Sequence, residues 1–196
     1  MTILQVDQLT KKIKGMPIIQ DVSFKLDEGQ IVGLVGANGA GKTTLMKVIL
    51  GLSNYQDGSY KVRANTNNKS NTGALIESPG VYPFLTGYDN LKLICESKEK
   101  NAIDDIVKKL KMDRYIHKKA KTYSLGMEQK LGIAIAFLNH PQLIVLDEPM
   151  NGLDPKAVRD VRELIVETAK QGTTFLISSH ILSELVKITD SILIID

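Results

Sequence analysis

The sequence contains one cysteine, Cys95, so no disulfide can form within the chain, which suits a reducing cytoplasm. Cys95 lies among helix-patterned residues and reads as a small packing residue rather than a nucleophile. No apolar run approaches the ~18–20 residues needed to span a bilayer. No secretory or transit signal is visible, because Met1 leads directly into a strand-like segment over 3–9. Internal repeats and low-complexity stretches are also missing. The net charge of +3 is too small to point to nucleic acid by itself. What remains, 196 residues with 43% hydrophobic and 24% charged, fits one globular domain with room for a subdomain.

The charge is unevenly spread. Lys108, Lys109, Lys111, Arg114, Lys118, Lys119, Lys121 and Lys130 crowd into one stretch, with His117 among them. A solvated helical face accounts for such a run most simply, and a surface beside an anionic membrane leaflet is the alternative.

The patterning changes along the chain. Runs of branched apolar residues over 3–6 and 18–26, closed by Asp27-Glu28-Gly29, predict β structure in the first thirty residues. Short strands are expected at Tyr60-Lys61-Val62 and Gly73-Ala74-Leu75-Ile76, with a surface loop over 65–71 between them. From 78 to 122 the pattern is helical, with no strand-like run, which predicts a helical insertion that splits a core of 1–77 and 123–196. Three continuous apolar runs follow, at 143–146, 175–178 and 192–195, separated by helix-like segments at 155–170 and 181–188. Such alternation predicts a parallel sheet covered on both faces. Asp154 and Pro155 suit the N-cap and first turn of the longer helix. The sequence stops at or just after a strand, an abrupt end for such a sheet, so a truncated chain is expected.

The strongest single signal is Gly36-Ala37-Asn38-Gly39-Ala40-Gly41-Lys42-Thr43, a G-x-x-x-x-G-K-T octet. It follows the apolar run 31–35 and opens a helix-patterned run over 43–50. Glycines let the backbone turn tightly and aim successive N–H groups at an anion. The helix start adds free donors and the positive end of the dipole. In that setting Lys42 reaches the β- and γ-phosphates and the Thr43 hydroxyl binds Mg²⁺.

Two acids, Asp147 and Glu148, end the buried run Leu143-Ile144-Val145-Leu146. The carboxyl ends of parallel strands are where such sheets bind ligands. Asp147 suits a Mg²⁺ contact, and Glu148 suits the orientation and deprotonation of an attacking water. His180 closes the next strand run on the same expected edge, beside the γ-phosphate position. Ser124 is a natural N-cap, and Gly126 just inside would leave N–H groups open at a helix start. Taken alone, that last segment is ambiguous.

These motifs, in this order, resemble the nucleotide-binding domain of ABC ATPases from about Ile3 to the last residue. Asn151-Gly152-Leu153-Asp154 looks like the family's D-loop, His180 like its switch histidine, and 123–127 like a variant of its Leu-Ser-Gly-Gly-Gln signature. The resemblance implies an α/β P-loop NTPase: a mixed sheet with a parallel core flanked by helices, an N-terminal antiparallel β subdomain and an inserted helical subdomain. It implies ATP and Mg²⁺ as cofactors, with Glu148, His180 and Lys42 catalytic. Nucleotide contacts are implied for Gly36, Ala37, Asn38, Gly39, Ala40, Gly41, Lys42, Thr43 and Thr44, for Ser124 and Gly126 across a dimer, and for Ile13 where the family stacks an aromatic on adenine. Thr43, Asp147 and Glu77 are the implied metal set, Glu77 standing where the family carries glutamine.

The same resemblance implies a second ATP-binding subunit, as a homodimer paired head to tail, and a membrane-spanning partner contacted by the helical insertion. Val81-Tyr82-Pro83-Phe84-Leu85 is the expected docking patch. The place implied is the cytoplasmic face of the cell membrane, with no nucleic acid involved. Leu125 and Met127 depart from the signature. Together with Ile76-Glu77-Ser78-Pro79 and Leu85-Thr86-Gly87, they resemble the bacitracin-resistance and lantibiotic-immunity branch, whose members expel antimicrobial peptides. Related exporters of unknown cargo share the pattern. The rival readings are a soluble ABC ATPase of DNA repair or translation and a low-turnover nucleotide-binding regulatory module.

Overall fold

The computed structural model describes residues 1–63, 72–96, 101–180 and 182–196. The loop expected over 65–71 lies outside them.

The chain opens with two long strands, β1 (Thr2–Ile13) and β2 (Met16–Asp27), paired antiparallel with Ile13 opposite Met16. Lys14 and Gly15 join them at φ 51° and 82°, the double positive φ that a two-residue hairpin turn requires. The sequence reading separated 3–6 from 18–26 and missed this turn. Irregularities along the pairing explain why, since shifts at Val6/Leu9, Leu9/Lys11 and Lys11/Lys12 break the two-residue alternation.

Next come β3 (Ile31–Val35), α1 (Lys42–Ile49), β4 (Asp57–Val62) and β5 (Thr72–Leu75). Strand β4 joins the hairpin in a three-stranded antiparallel sheet of order β2-β1-β4. The segment after β5 carries α2 (Gly87–Ile94), α3 (Ala102–Lys109) and one 3-10 turn over Ala120–Thr122. Thr86 caps α2 by accepting from the Asp89 N–H, a local signal that fixes the helix start. The rest of the chain alternates α4 (Leu125–Phe137), β6 (Leu143–Leu146), α5 (Pro155–Ala169), β7 (Thr174–Ser178), the short α6 (Leu182–Leu185) and β8 (Ser191–Ile194). Among the described residues no helix is long and apolar enough to cross a membrane.

The second sheet is parallel throughout, in the order β5-β6-β7-β3-β8. Its side chains alternate between two cores, as the two-residue period of a strand requires. Leu143, Val145 and Leu176 pack with Leu4, Leu9 and Leu26 of the antiparallel sheet and with Leu45 and Met46 of α1. Ile144, Leu146 and Phe175 face the other way, onto Leu91, Ile106, Leu131 and Leu164. The helical segment therefore shares a core with the sheet rather than having one of its own. Cys95 is half-buried against that core, in keeping with a packing role.

The lysine-rich run is exposed except at Lys130, as a solvated face requires, and two of its exposed members also make ion pairs: Lys109 with Glu167 at 3.1 Å and Lys111 with the buried Asp160 at 2.5 Å. Lys130 donates to the Leu110 carbonyl at 2.9 Å. Part of the run thus ties the helical segment to α4 and α5.

Candidate functional site

Strand order decides what meets at the carboxyl edge of the parallel sheet. Strand β7 lies between β6 and β3, so the turns after all three open side by side. The turn after β3 is 36–41. Gly39 and Gly41 hold φ at 89° and 96° there, where a side chain strains the backbone. Close approach also demands glycine, because a Cβ on Gly41 would lie 2.8 Å from the Ile18 carbonyl oxygen and one on Gly36 would collide with that of Ile195. The turn closes through Ala40 N–H to the Ala37 carbonyl at 3.1 Å. Helix α1 begins with no side-chain cap, which leaves its first N–H groups facing the loop.

Lys42 is buried at 7% exposure. Its ammonium donates to the carbonyls of Gly36, at 2.7 Å, and Ala37, at 3.0 Å. Beside it a continuous polar chain runs across the strand ends. Thr43 Oγ1 donates to Asp147 Oδ2 at 2.6 Å, and Ser178 Oγ donates to Asp147 Oδ1 at 2.5 Å. The Glu148 N–H donates back to Ser178 Oγ at 2.9 Å, and His180 Nδ1 lies 2.8 Å from Glu148 Oε2. Asn38, Gly39, Gly41, Lys42, Thr43, Thr44, Asp147 and Glu148 line a cleft of about 230 Å³. A larger cavity of about 580 Å³ lies at the opposite edge, around Pro141, Gln142 and Thr173. The larger cavity also has lysines and carboxylates in its lining, but the cleft alone is bordered by the glycine-rich turn and the uncapped start of α1.

The Thr43 hydroxyl and the Asp147 carboxylate are hard oxygen donors at one point. Mg²⁺ favours few protein ligands of that kind, completed by phosphate and water, so the donor set fits it. Among the described residues no group of three or more His, Cys, Asp or Glu that could hold a metal gathers here or elsewhere, so the protein's share of such a site is the Thr43–Asp147 pair. Glu77 does not join Thr43 and Asp147. Its backbone is left-handed at φ 60°, and its carboxylate takes Lys47 Nζ at 2.7 Å, one turn along α1 from Thr43.

Ser124, Gly126 and Ile13 do not line the cleft. Ser124 caps α4, accepting from the Met127 N–H at 3.4 Å, and is exposed. Gly126 lies against the Gly152 carbonyl, at a spacing of 2.8 Å from where a Cβ would stand. Ile13 sits at the hairpin tip, 44% exposed. Tyr123, just ahead of Ser124, is anchored by its hydroxyl on the Tyr115 carbonyl at 3.0 Å, and burial pushes its pKa up. Asp154 caps α5, and the Ala157 N–H it accepts holds its carboxyl below the ordinary value.

Three residues of this neighbourhood were missed by sequence reasoning: Ser178, Lys47 and Gln129. A hydroxyl closing an otherwise apolar strand was the available sign for Ser178. The other two act through long-range contacts that spacing does not reveal.

Comparison with known proteins agrees with this geometry. The family described as ABC transporter matches residues 19–151. The chain is similar to the ABC transporter ATP-binding protein YdbJ of Bacillus subtilis (strain 168), 41% identical over 98% of this chain and 66% of that one. It is 37% identical to the bacitracin transport ATP-binding protein BcrA of Enterococcus faecalis, over 97% of this chain and 65% of that one. It is 36% identical to the lantibiotic transport ATP-binding protein SrtF of Streptococcus pyogenes, over 96% and 85%. The chain thus spans about two thirds of the length of YdbJ and BcrA. A solved ATP-binding subunit of an ABC transporter superposes with a TM-score of 0.90 at 30% identity, covering 99% of this chain and 86% of that one. Motifs, sheet order and relatives lead to one conclusion: the chain belongs to the ABC transporter family, among its ATP-binding proteins.

Proposed function

We propose that this chain binds Mg-ATP and hydrolyses it for a membrane exporter of antimicrobial peptides. The observation that carries the reading is the unbroken chain Thr43–Asp147–Ser178–Glu148–His180 beside the Lys42 loop. Lys42 and the N–H groups of 36–43 hold the phosphates. Thr43 and Asp147 hold Mg²⁺, which when bound neutralises charge developing on the transferred phosphoryl group. Glu148 takes the proton of the attacking water. His180, against Glu148 Oε2, orients that carboxylate and faces the γ-phosphate.

Ser124 is exposed and neither it nor Gly126 lines the cleft of its own chain, which suits service to a second copy paired head to tail. Exposed Tyr82 and Phe84, on the helical segment over 78–122, form the surface for a membrane-spanning partner at the cytoplasmic face of the membrane. The named transport roles of BcrA and SrtF support the peptide cargo.

Glu148→Gln is the test. Turnover is expected to fall by at least about 10²-fold, the scale of a lost general base, while ATP still binds. Wild-type phosphate release from that variant would overturn the base. Wild-type protein that binds ATP without releasing phosphate would instead leave a regulatory nucleotide-binding module.

A further inference from the structure

Gln129 stands in the second turn of α4 and is buried at 8% exposure, unusual for a polar side chain near a helix start. Its side-chain amide donates to the carbonyl oxygens of Glu148 and Pro149, each at 3.2 Å. Two neighbours on the same helical stripe reach the same turn. Leu125, four residues earlier, lies over Gly152, where a Cβ would stand 2.8 Å from its Cδ2. Gly126, three residues before Gln129, meets the Gly152 carbonyl. The start of α4 is therefore laid along residues 148–152.

That turn carries a conformation that L side chains rarely adopt. Glu148 has φ 49°, and such a backbone persists where surrounding groups over-determine it. The over-determination is visible on both sides of the residue. Ser178 Oγ accepts the Glu148 N–H at 2.9 Å, while its carbonyl accepts the Gln129 amide and the Asn151 N–H, the latter at 3.1 Å.

We infer that Gln129 is a positioning residue for the base: its amide pins the Glu148 carbonyl, so the base and the outward-facing start of α4 keep one fixed geometry. This rests on the reading of Glu148 as the base. Losing the pin frees the turn to relax and moves the carboxylate away from the water it must deprotonate, while the phosphate loop, which Gln129 does not touch, still binds nucleotide. Misplacement on the scale of an ångström costs up to about 10²-fold in rate.

The full chain is measured as wild type, Gln129→Leu and Gln129→Glu, by ATP turnover and by titration with a fluorescent ATP analogue. Gln129→Leu is expected to lose about tenfold in kcat, with the nucleotide dissociation constant unchanged within about twofold. At pH about 8 Gln129→Glu shows the same loss. As pH falls to about 6 it recovers relative to wild type at each pH, because burial and the facing carbonyls raise the pKa of the introduced carboxyl, and its protonated form donates with nearly the original shape. Wild-type kcat in Gln129→Leu overturns the inference. So does a joint loss of kcat and nucleotide affinity with no acid recovery in Gln129→Glu, the result of a merely structural role. If Gln129→Leu does not fold, the pH series of Gln129→Glu decides alone. A wild-type Gln129→Leu beside an inactive Glu148→Gln defeats this inference only, whereas an active Glu148→Gln defeats the base assignment beneath it.

Discussion

The strand-end edge carries a strong motif signal and the start of α4 one that is ambiguous alone, and the two also differ in how far one chain completes them. At the strand ends each reactive group already has its partner: Lys42 on the loop carbonyls, Asp147 between Thr43 and Ser178, Glu148 against His180. At the start of α4, Ser124 is exposed and Leu125 stands 69% exposed. The first region is paired within the chain, and the second presents exposed side chains. A head-to-tail pair, as proposed, joins one chain's strand-end edge to the other's start of α4.

Three substitutions break or sharpen that contrast. Lys42→Ala has the largest expected effect: ATP affinity of the isolated chain should fall about 100-fold, because a buried charge that meets phosphate contributes ~2–5 kcal/mol. Fluorescent-nucleotide titration measures it, and an unchanged affinity would remove Lys42 from the phosphate site. Ser178→Ala comes next. It strips a partner from both Asp147 Oδ1 and the Glu148 N–H, and each buried polar group left unpaired costs about 1–3 kcal/mol. Turnover should drop about tenfold and the melting temperature should fall, both readable on one preparation. Leu125→Ala is the smallest. As an exposed change it should leave single-chain ATP affinity within about twofold, while turnover responds if α4 completes a partner's site. An equal loss of affinity in the isolated chain would mean that the two regions are one site within one subunit.

Sequence alone revealed the strand-end half because its parts are local. The glycine-rich turn, the lysine and threonine that open α1, and the acid pair that closes β6 are each contiguous, and parallel-sheet topology does the assembling. What escaped notice joins residues far apart in the chain. Glu77 was expected at the metal because its position suggested so. Its carboxylate instead takes Lys47, thirty residues earlier. Gln129 reads as an ordinary helix residue, and only the packing of α4 against 148–152 gives it a role. Lys14-Gly15 escaped for a different reason, since register irregularities disguised one hairpin as two separate runs.

The alternation of side chains along β6 bears on how far damage to one core reaches. Leu143 and Val145 belong to one core, and Ile144 and Leu146 to the other. Four consecutive residues thus serve as a party wall, so a cavity cut in either room removes packing from the strand that bounds the other.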